Sequence, residues 1–168
     1  ISGIADHVRE LDGWPEINPV RLLAKKPRKP AKWVYTRPPP ADIEAYFARM
    51  QGTFGDLCRV ALLCGARKDE LAYLHRDHAV GGKATFHDTK SGIPRTIPWT
   101  PEARAIVDRQ PLVHGSPYLF HTRAHGPYKR VTEMWREVVL RAQSMAQKQG
   151  RRLTRMRFHD LRHEYAIR

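Results

Sequence analysis

Two side chains near the end of the chain could together act on a phosphate group. His159 and Arg162 lie three positions apart within residues 158–168, a spacing that places both side chains on one face of a helix. An imidazole can transfer a proton near neutral pH, and a guanidinium can donate two hydrogen bonds to one phosphate. The pair therefore predicts half of a phosphoryl-transfer site.

Two earlier segments carry cations in positions that would suit such a site. Arg67 follows Gly65 and begins a predicted short helix, so its guanidinium would lie at a rigid corner beside backbone N–H groups that attract anions. Glu70, three residues later, could hold it there. Lys90 lies at the tip of a hairpin predicted within residues 88–98 and could protonate a leaving oxygen. Read alone, each segment is more simply explained as an ordinary surface feature.

The final motif also allows a metal site. His159 and His163 have the spacing of two zinc ligands on one helix face. However, Asp160 stands where a zinc protease needs a glutamate base, and Arg162 would place a positive charge beside the metal. The other histidines show no convincing four-ligand spacing. A zinc hydrolase is therefore a distant alternative, and we expect no metal.

The charge of the chain favours a polyanionic partner. Among 168 residues, 30 are Lys or Arg and 17 are Asp or Glu, which gives a net charge of +13. A surface so positive attracts nucleic acid. Cys58 and Cys64 lie in one apolar helical run and are expected to be small core residues, with no disulfide framework. We find no signal peptide and no segment apolar enough to cross a bilayer.

The first forty residues are expected to precede the compact domain. Residues 1–16 have the pattern of a short amphipathic helix that would be the tail of an upstream domain, since they are too few to fold alone. The chain begins with Ile rather than Met, and we expect that it is cut there. Residues 17–40 are basic and rich in proline, which keeps such a segment extended. They could be a solvated tether or a segment that lies along phosphates, and the sequence favours neither.

Residues 41–168 are expected to form one domain of the α+β class that is mostly helical, with a small antiparallel β-hairpin on one side. Helical patterns cover residues 41–51, 53–64, 67–74 and 131–149, and Gly65 is a predicted helix stop. Thr100 is a predicted N-cap that is followed by Pro101. Alternating patterns predict the two strands of the hairpin over residues 83–88 and 94–99.

Taken in order, three motifs resemble those of the tyrosine recombinases, also called the phage integrase family. The motifs are a Gly-x-Arg-x-x-Glu corner at residues 65–70, Thr-Lys-x-Gly at 89–92 and His-x-Leu-Arg-His at 159–163. The resemblance runs from about residue 36 to 168, and it implies the catalytic-domain fold of that family. Residues 1–16 would then be the tail of its core-binding domain, and residues 17–40 the linker.

The resemblance also implies a role for each matching residue. It assigns catalysis to Arg67, Lys90, His159 and Arg162, with Glu70 and His163 as supporting residues. DNA contacts are expected from the basic linker and from the basic loop before the last motif, namely from Lys25, Lys26, Arg28, Lys29, Arg155 and Arg157.

In that family a tyrosine hydroxyl attacks a DNA phosphodiester, which leaves a 3′-phosphotyrosyl link and a free 5′-hydroxyl. No metal or nucleotide cofactor takes part. The resemblance therefore implies a cytoplasmic, nucleoid-associated recombinase of bacterial or phage origin. It would act on double-stranded DNA, would not bind membranes, and would oligomerise on DNA as the full-length protein, whereas we expect these 168 residues to be monomeric.

One departure from the family pattern limits this interpretation. The family's later His or Trp and its nucleophilic tyrosine lie a few dozen residues past the second arginine, which is beyond residue 168. No tyrosine of this sequence is a good substitute, and Tyr165, three residues past Arg162, is expected to be a core residue. We therefore expect these residues alone not to cleave DNA covalently. A non-catalytic DNA-binding module on the same fold is the alternative.

Overall fold

The computed structural model describes residues 35–87 and 92–167. The predicted helix of residues 1–16, most of the predicted linker and Lys90 lie outside these ranges. The described helices are α1 (Pro40–Phe47), α2 (Gly52–Cys64), α3 (Lys68–Ala72), α4 (Pro101–Asp108), α5 (Val131–Lys148) and α6 (Asp160–Ile167), and the strands are β1 (Lys83–Phe86) and β2 (Arg95–Pro98). The α+β class and the dominance of helices are confirmed.

Helix α2 runs through the core and packs against both α4 and α6. Its side chains Leu57, Cys58 and Val60 are fully buried, as an apolar helix between two others requires. The helix stops at Gly65, whose φ of +63° is left-handed and whose N–H bonds to the Ala61 carbonyl. The predicted glycine stop is therefore confirmed, and it turns the chain sharply into α3.

The predicted hairpin is present as an antiparallel pair of strands. Lys83 pairs with Pro98 at one end, and Phe86 pairs with Arg95 at the other. The hydroxyls of Thr85 and Thr96 hydrogen bond across the pair at 3.1 Å. Phe86 and Arg95 thus form the last pair of the two strands.

Helices α1 and α5 meet through aromatic side chains. The rings of Tyr46 and Phe47 lie 6.1 and 6.2 Å from the Trp135 ring. Trp135 donates a hydrogen bond from Nε1 to the Met156 carbonyl at 3.0 Å, and the Tyr46 hydroxyl donates to the Thr154 carbonyl at 2.6 Å. These bonds fix the loop that follows α5, which leads directly into the last motif.

The buried face of α5 follows the helical repeat. Its buried residues are Val131, Trp135, Val139, Ala142 and Ala146, whereas Met145 is 39% exposed. The spacings of three and four residues place the buried side chains along one stripe of the helix.

Local predictions about the start of α4 and the two cysteines are confirmed. The Thr100 hydroxyl accepts a hydrogen bond from the Ala103 N–H at 3.2 Å, and Pro101 occupies the first turn. Cys58 and Cys64 are buried, unbridged thiols. Burial raises the pKa of Cys64 to about 11 and raises that of Cys58 well above its ordinary value. In residues 35–87 and 92–167, no helix is long and apolar enough to span a membrane.

Candidate active site

Three of the predicted site residues line one cavity. Arg67, His159 and Arg162 lie around a cavity of about 450 Å³, together with Arg157 and Lys68. These residues come from the α2–α3 corner and from residues 157–162 around the start of α6, which lie at least 89 positions later in the sequence. The cavity is thus lined by four guanidinium or ammonium groups and one imidazole against the single carboxylate of Asp69, so it attracts anions.

The corner between α2 and α3 holds Arg67 in a fixed position. Glu70 accepts one hydrogen bond from the Arg67 backbone N–H at 2.7 Å and another from Arg67 Nη1 at 2.9 Å. The predicted Arg67–Glu70 ion pair is therefore present. The Glu70 side chain is only 3% exposed, whereas the Arg67 side chain is 43% exposed, so the guanidinium is accessible to an anion.

Arg95 is a member of this cluster that the sequence analysis missed. It donates to both oxygens of Glu70, at 2.5 Å from Nη2 and 3.2 Å from Nε. Burial raises the pKa of Glu70, but hydrogen bonds from Arg95 and Arg67 outweigh burial and hold that pKa below its ordinary value. The sequence placed Arg95 only in a predicted strand, which the structure pairs with Phe86. Nothing in the sequence near Arg95 connects this residue with Glu70.

Arg162 links the start of α6 to the end of α2. Its Nη1 donates to the Gly65 carbonyl at 2.6 Å, and a guanidinium carries five N–H donors, so others remain for an anion. His159 lies just before the first residue of α6 rather than within it, and its carbonyl accepts from the Arg162 backbone N–H at 3.1 Å. This tight turn keeps the imidazole and the guanidinium on the same side.

The surroundings of His159 lower its pKa and so favour the neutral imidazole. Burial lowers the pKa of His159, and the nearby charges of His163, Arg162 and Arg157 lower it further, whereas Asp160 acts in the opposite direction. The His163 ring lies 4.9 Å away and edge-on. A neutral imidazole at neutral pH can accept a proton.

The two predicted DNA contacts of the loop before α6 lie in neighbouring positions. Arg157 lines the cavity and is held by Asp160, which is fully buried and accepts from Arg157 Nη2 at 3.1 Å and from its backbone N–H at 2.7 Å. Arg155 lines an adjoining cavity of about 460 Å³ together with Arg136. Because Arg157 lines both cavities, basic side chains extend from the candidate site into the adjoining one. The predicted Lys25, Lys26, Arg28, Lys29 and Lys90 lie outside the described residues.

The expectation for Tyr165 is wrong. The side chain is 43% exposed rather than buried in the core. Its ring covers Gly65 so closely that a β-carbon at this position would collide with it. The ring packs on the backbone of the α2 end because that position has no side chain. None of the six tyrosines of the chain lines the cavity that Arg67, His159 and Arg162 share.

The described residues contain no group of three or more His, Cys, Asp or Glu side chains arranged to hold a metal ion. His159 and His163 do lie close together, as the zinc hypothesis required. However, the cavity beside them is lined by Arg67, Arg157 and Arg162, and these charges would repel a metal cation.

The chain resembles known proteins in its three-dimensional structure rather than in its sequence. No protein-family model matches the sequence, and no curated protein matches it. The lambda integrase catalytic core is similar with a TM-score of 0.63 and 16% identity, over 79% of this chain and 82% of that one. A lambda integrase dimer bound to a COC′ core site is similar with a TM-score of 0.68 and 17% identity, over 99% of this chain and 63% of that one.

The catalytic domain of bacteriophage HP1 integrase is more similar in sequence. It is 27% identical, with a TM-score of 0.51 over 76% of this chain and 67% of that domain. The chain therefore spans less than two thirds of the DNA-bound lambda integrase and more of the isolated catalytic domains. These similarities, together with the arrangement of helices and hairpin, show that the chain has the catalytic-domain fold of the tyrosine recombinases, the phage integrase family.

Proposed function

We propose that this chain is the catalytic region of a site-specific DNA recombinase of the tyrosine type. The observation that carries the proposal is the shared cavity, because Arg67, His159 and Arg162 meet there from distant parts of the sequence. The DNA-bound lambda integrase among the similar structures supports double-stranded DNA as the partner, as does the net charge of +13.

In this mechanism the two arginines bind the scissile phosphate. Arg67 and Arg162 donate hydrogen bonds to its non-bridging oxygens and stabilise the negative charge of the pentavalent phosphorus. Glu70 and the Gly65 carbonyl hold the two guanidiniums before DNA arrives, so little reorganisation accompanies the reaction.

Proton transfer is assigned to His159 and Lys90. The lowered pKa of His159 favours a neutral ring that accepts the proton of the attacking hydroxyl. Lys90 is proposed to protonate the leaving 5′-oxygen. The energy of the broken phosphodiester is kept in the phosphotyrosyl bond, so rejoining needs no nucleotide cofactor.

The attacking tyrosine is not one of the six in this sequence, since none lines the cavity. Tyr165 lines the adjoining cavity that contains Arg95 and Arg162, but its ring packs on Gly65. The proposal therefore predicts that this chain binds DNA and forms no covalent adduct with it.

The catalytic groups can be tested without a tyrosine. A ribonucleotide placed in one DNA strand supplies a 2′-hydroxyl that can attack the neighbouring phosphorus. The 2′-hydroxyl gives its proton to the base, the role assigned to His159, and the 2′-oxygen–phosphorus bond forms. The 5′-oxygen–phosphorus bond breaks, and the 5′-oxygen takes a proton from the acid, the role assigned to Lys90, which leaves a 2′,3′-cyclic phosphate. We would incubate the chain with duplexes of random sequence that carry one central ribonucleotide, and sequence the products.

Cleavage by the wild-type chain that is lost in Arg162→Ala is the expected result. Arg141→Ala is the matched control, because this arginine is 77% exposed on α5 and outside the cavity. Cleavage that persists in Arg162→Ala would contradict the assigned site. DNA binding without cleavage in any duplex would favour the non-catalytic DNA-binding module.

A further inference from the structure

A buried carboxylate on α6 takes its partners from the segment that precedes α1. The side chain of Glu164 is 2% exposed. It accepts a short hydrogen bond from the Tyr35 hydroxyl and lies 3.4 Å from Arg37 Nε. Both partners belong to residues 35–39, which we call the strap. A buried charge is costly unless it is paired, so Glu164 holds the strap against α6.

The strap reaches His159 through two ring contacts. The Tyr35 ring lies 5.1 Å from the His163 ring at an angle of 33°. The His163 ring in turn lies 4.9 Å from that of His159 and edge-on at 89°. Aromatic rings at these separations favour particular relative orientations. The orientation of His159 is therefore linked, through His163, to a residue more than a hundred positions earlier in the sequence.

We propose that Tyr35 and Glu164 are positioning residues that hold the strap on α6 and thereby orient His159 through His163. The catalytic meaning of this arrangement rests on the proposed function, whereas the arrangement itself does not. The strap immediately precedes the first helix of the domain.

The first measurement concerns attachment of the strap. Chymotrypsin cleaves after tyrosine, so the rate of cleavage after Tyr35 reports how often the strap detaches. In Glu164→Gln, Tyr35 is unchanged but the carboxylate charge is gone. Loss of bonds to a charged group predicts cleavage roughly 10 to 100 times faster. Tyr35→Phe keeps a chymotrypsin site but loses the hydroxyl, and cleavage after residue 35 should likewise be faster than in the wild type.

The second measurement concerns the imidazoles. The Cε1–H NMR signals of His159 and His163, assigned with single His→Gln variants, should shift or broaden together in Glu164→Gln and Tyr35→Phe. Tyr128→Phe is the matched control, since its hydroxyl bonds to Thr53 at 2.7 Å on another part of the domain. That variant should leave both signals and the cleavage rate after Tyr35 unchanged.

Each outcome decides the proposal. If the cleavage rate rises while the His159 signal stays in place, the strap is attached but does not position the imidazole, and the proposal fails. If neither changes relative to Tyr128→Phe, it fails as well. Both measurements use the chain without DNA, so they stand apart from the ribonucleotide test of the proposed function.

Discussion

Glu70 and Arg95 lie 25 residues apart in sequence, and their ion pair of 2.5 Å joins the hairpin to the α2–α3 corner. Glu70 also holds Arg67, so one buried carboxylate lies between two guanidiniums. Because Arg95 shares the negative charge, the cluster keeps a net positive charge that can act on a phosphate. Through Glu70, Arg95 thus connects strand β2 with the arginine proposed to bind the scissile phosphate.

Replacing Arg95 with Gln should destabilise the domain. The variant leaves a buried carboxylate with one cationic partner, and we expect a loss of about 1.5–3 kcal/mol in the free energy of unfolding. Urea denaturation measures it. Arg109→Gln is the control, because Arg109 is 57% exposed and its partner Asp56, which is 18% exposed, keeps the hydrogen bond from Gln110 Nε2, so the loss should stay below about 1 kcal/mol. Equal losses in the two variants would show that burial of Glu70 is irrelevant.

Glu70 should also make the free energy of unfolding depend on pH in the acidic range. Its pKa in the folded protein lies below the ordinary 4.5, so the ionised group stabilises the fold above pH 4.5 and this contribution is lost as the pH falls through the folded pKa. Denaturation curves of Glu70→Gln at several pH values should therefore depend less on pH in that acidic range than those of the wild type. A parallel dependence in both proteins would exclude Glu70 as the cause.

His163→Gln should raise the pKa of His159. Burial lowers that pKa first, and the charge of His163 lowers it further, together with those of Arg162 and Arg157, while Asp160 raises it. Removing one of the positive charges should move the titration midpoint of His159 toward 6.5 when it is followed by NMR. His78→Gln, in an exposed position elsewhere, should leave the midpoint unchanged. A downward movement in His163→Gln is the contrary result.

Gly65→Ala should cost stability for two separable reasons. The φ of +63° is unfavourable for alanine, and the new methyl would meet the Tyr165 ring. Gly115→Ala isolates the first cost, since Gly115 has a φ of +80° and open space around it. We expect Gly65→Ala to lower the thermal midpoint more than Gly115→Ala does. The excess should vanish when Tyr165 is also replaced by Ala; an excess that survives would mean that the ring is not the obstacle.

Asp160→Asn should loosen the start of α6. Asp160 is fully buried and accepts bonds from the backbone and side chain of Arg157. The loss of its charge should cost about 1.5–3 kcal/mol in urea denaturation. Asp108→Asn removes a pair in which both side chains are more than 60% exposed and should cost less than about 0.5 kcal/mol. If Asp108→Asn were the more costly change, Asp160 would not be a structural anchor.

Much of the local architecture could be predicted from the sequence. The stop at Gly65, the cap at Thr100 and the hairpin were all predicted and are present. Each depends on hydrogen bonds or conformational preferences within a few residues. Tyr165 was wrongly expected in the core. Its position in the motif indicates an aromatic packing residue, but the ring packs at the surface on the backbone of Gly65, and this contact is formed only in the tertiary structure.

By itself, the sequence determined which chemical groups are available and where they lie on their own helices and turns, because these features follow from residue type and short-range spacing. The tertiary structure alone decided which groups meet. The partners of Glu70 and Glu164 include residues 25 and 129 positions away, and no local period encodes such pairings. They arise because helix packing buries these carboxylates. A buried carboxylate needs a cation or a hydrogen-bond donor beside it, and the fold decides which residues supply one.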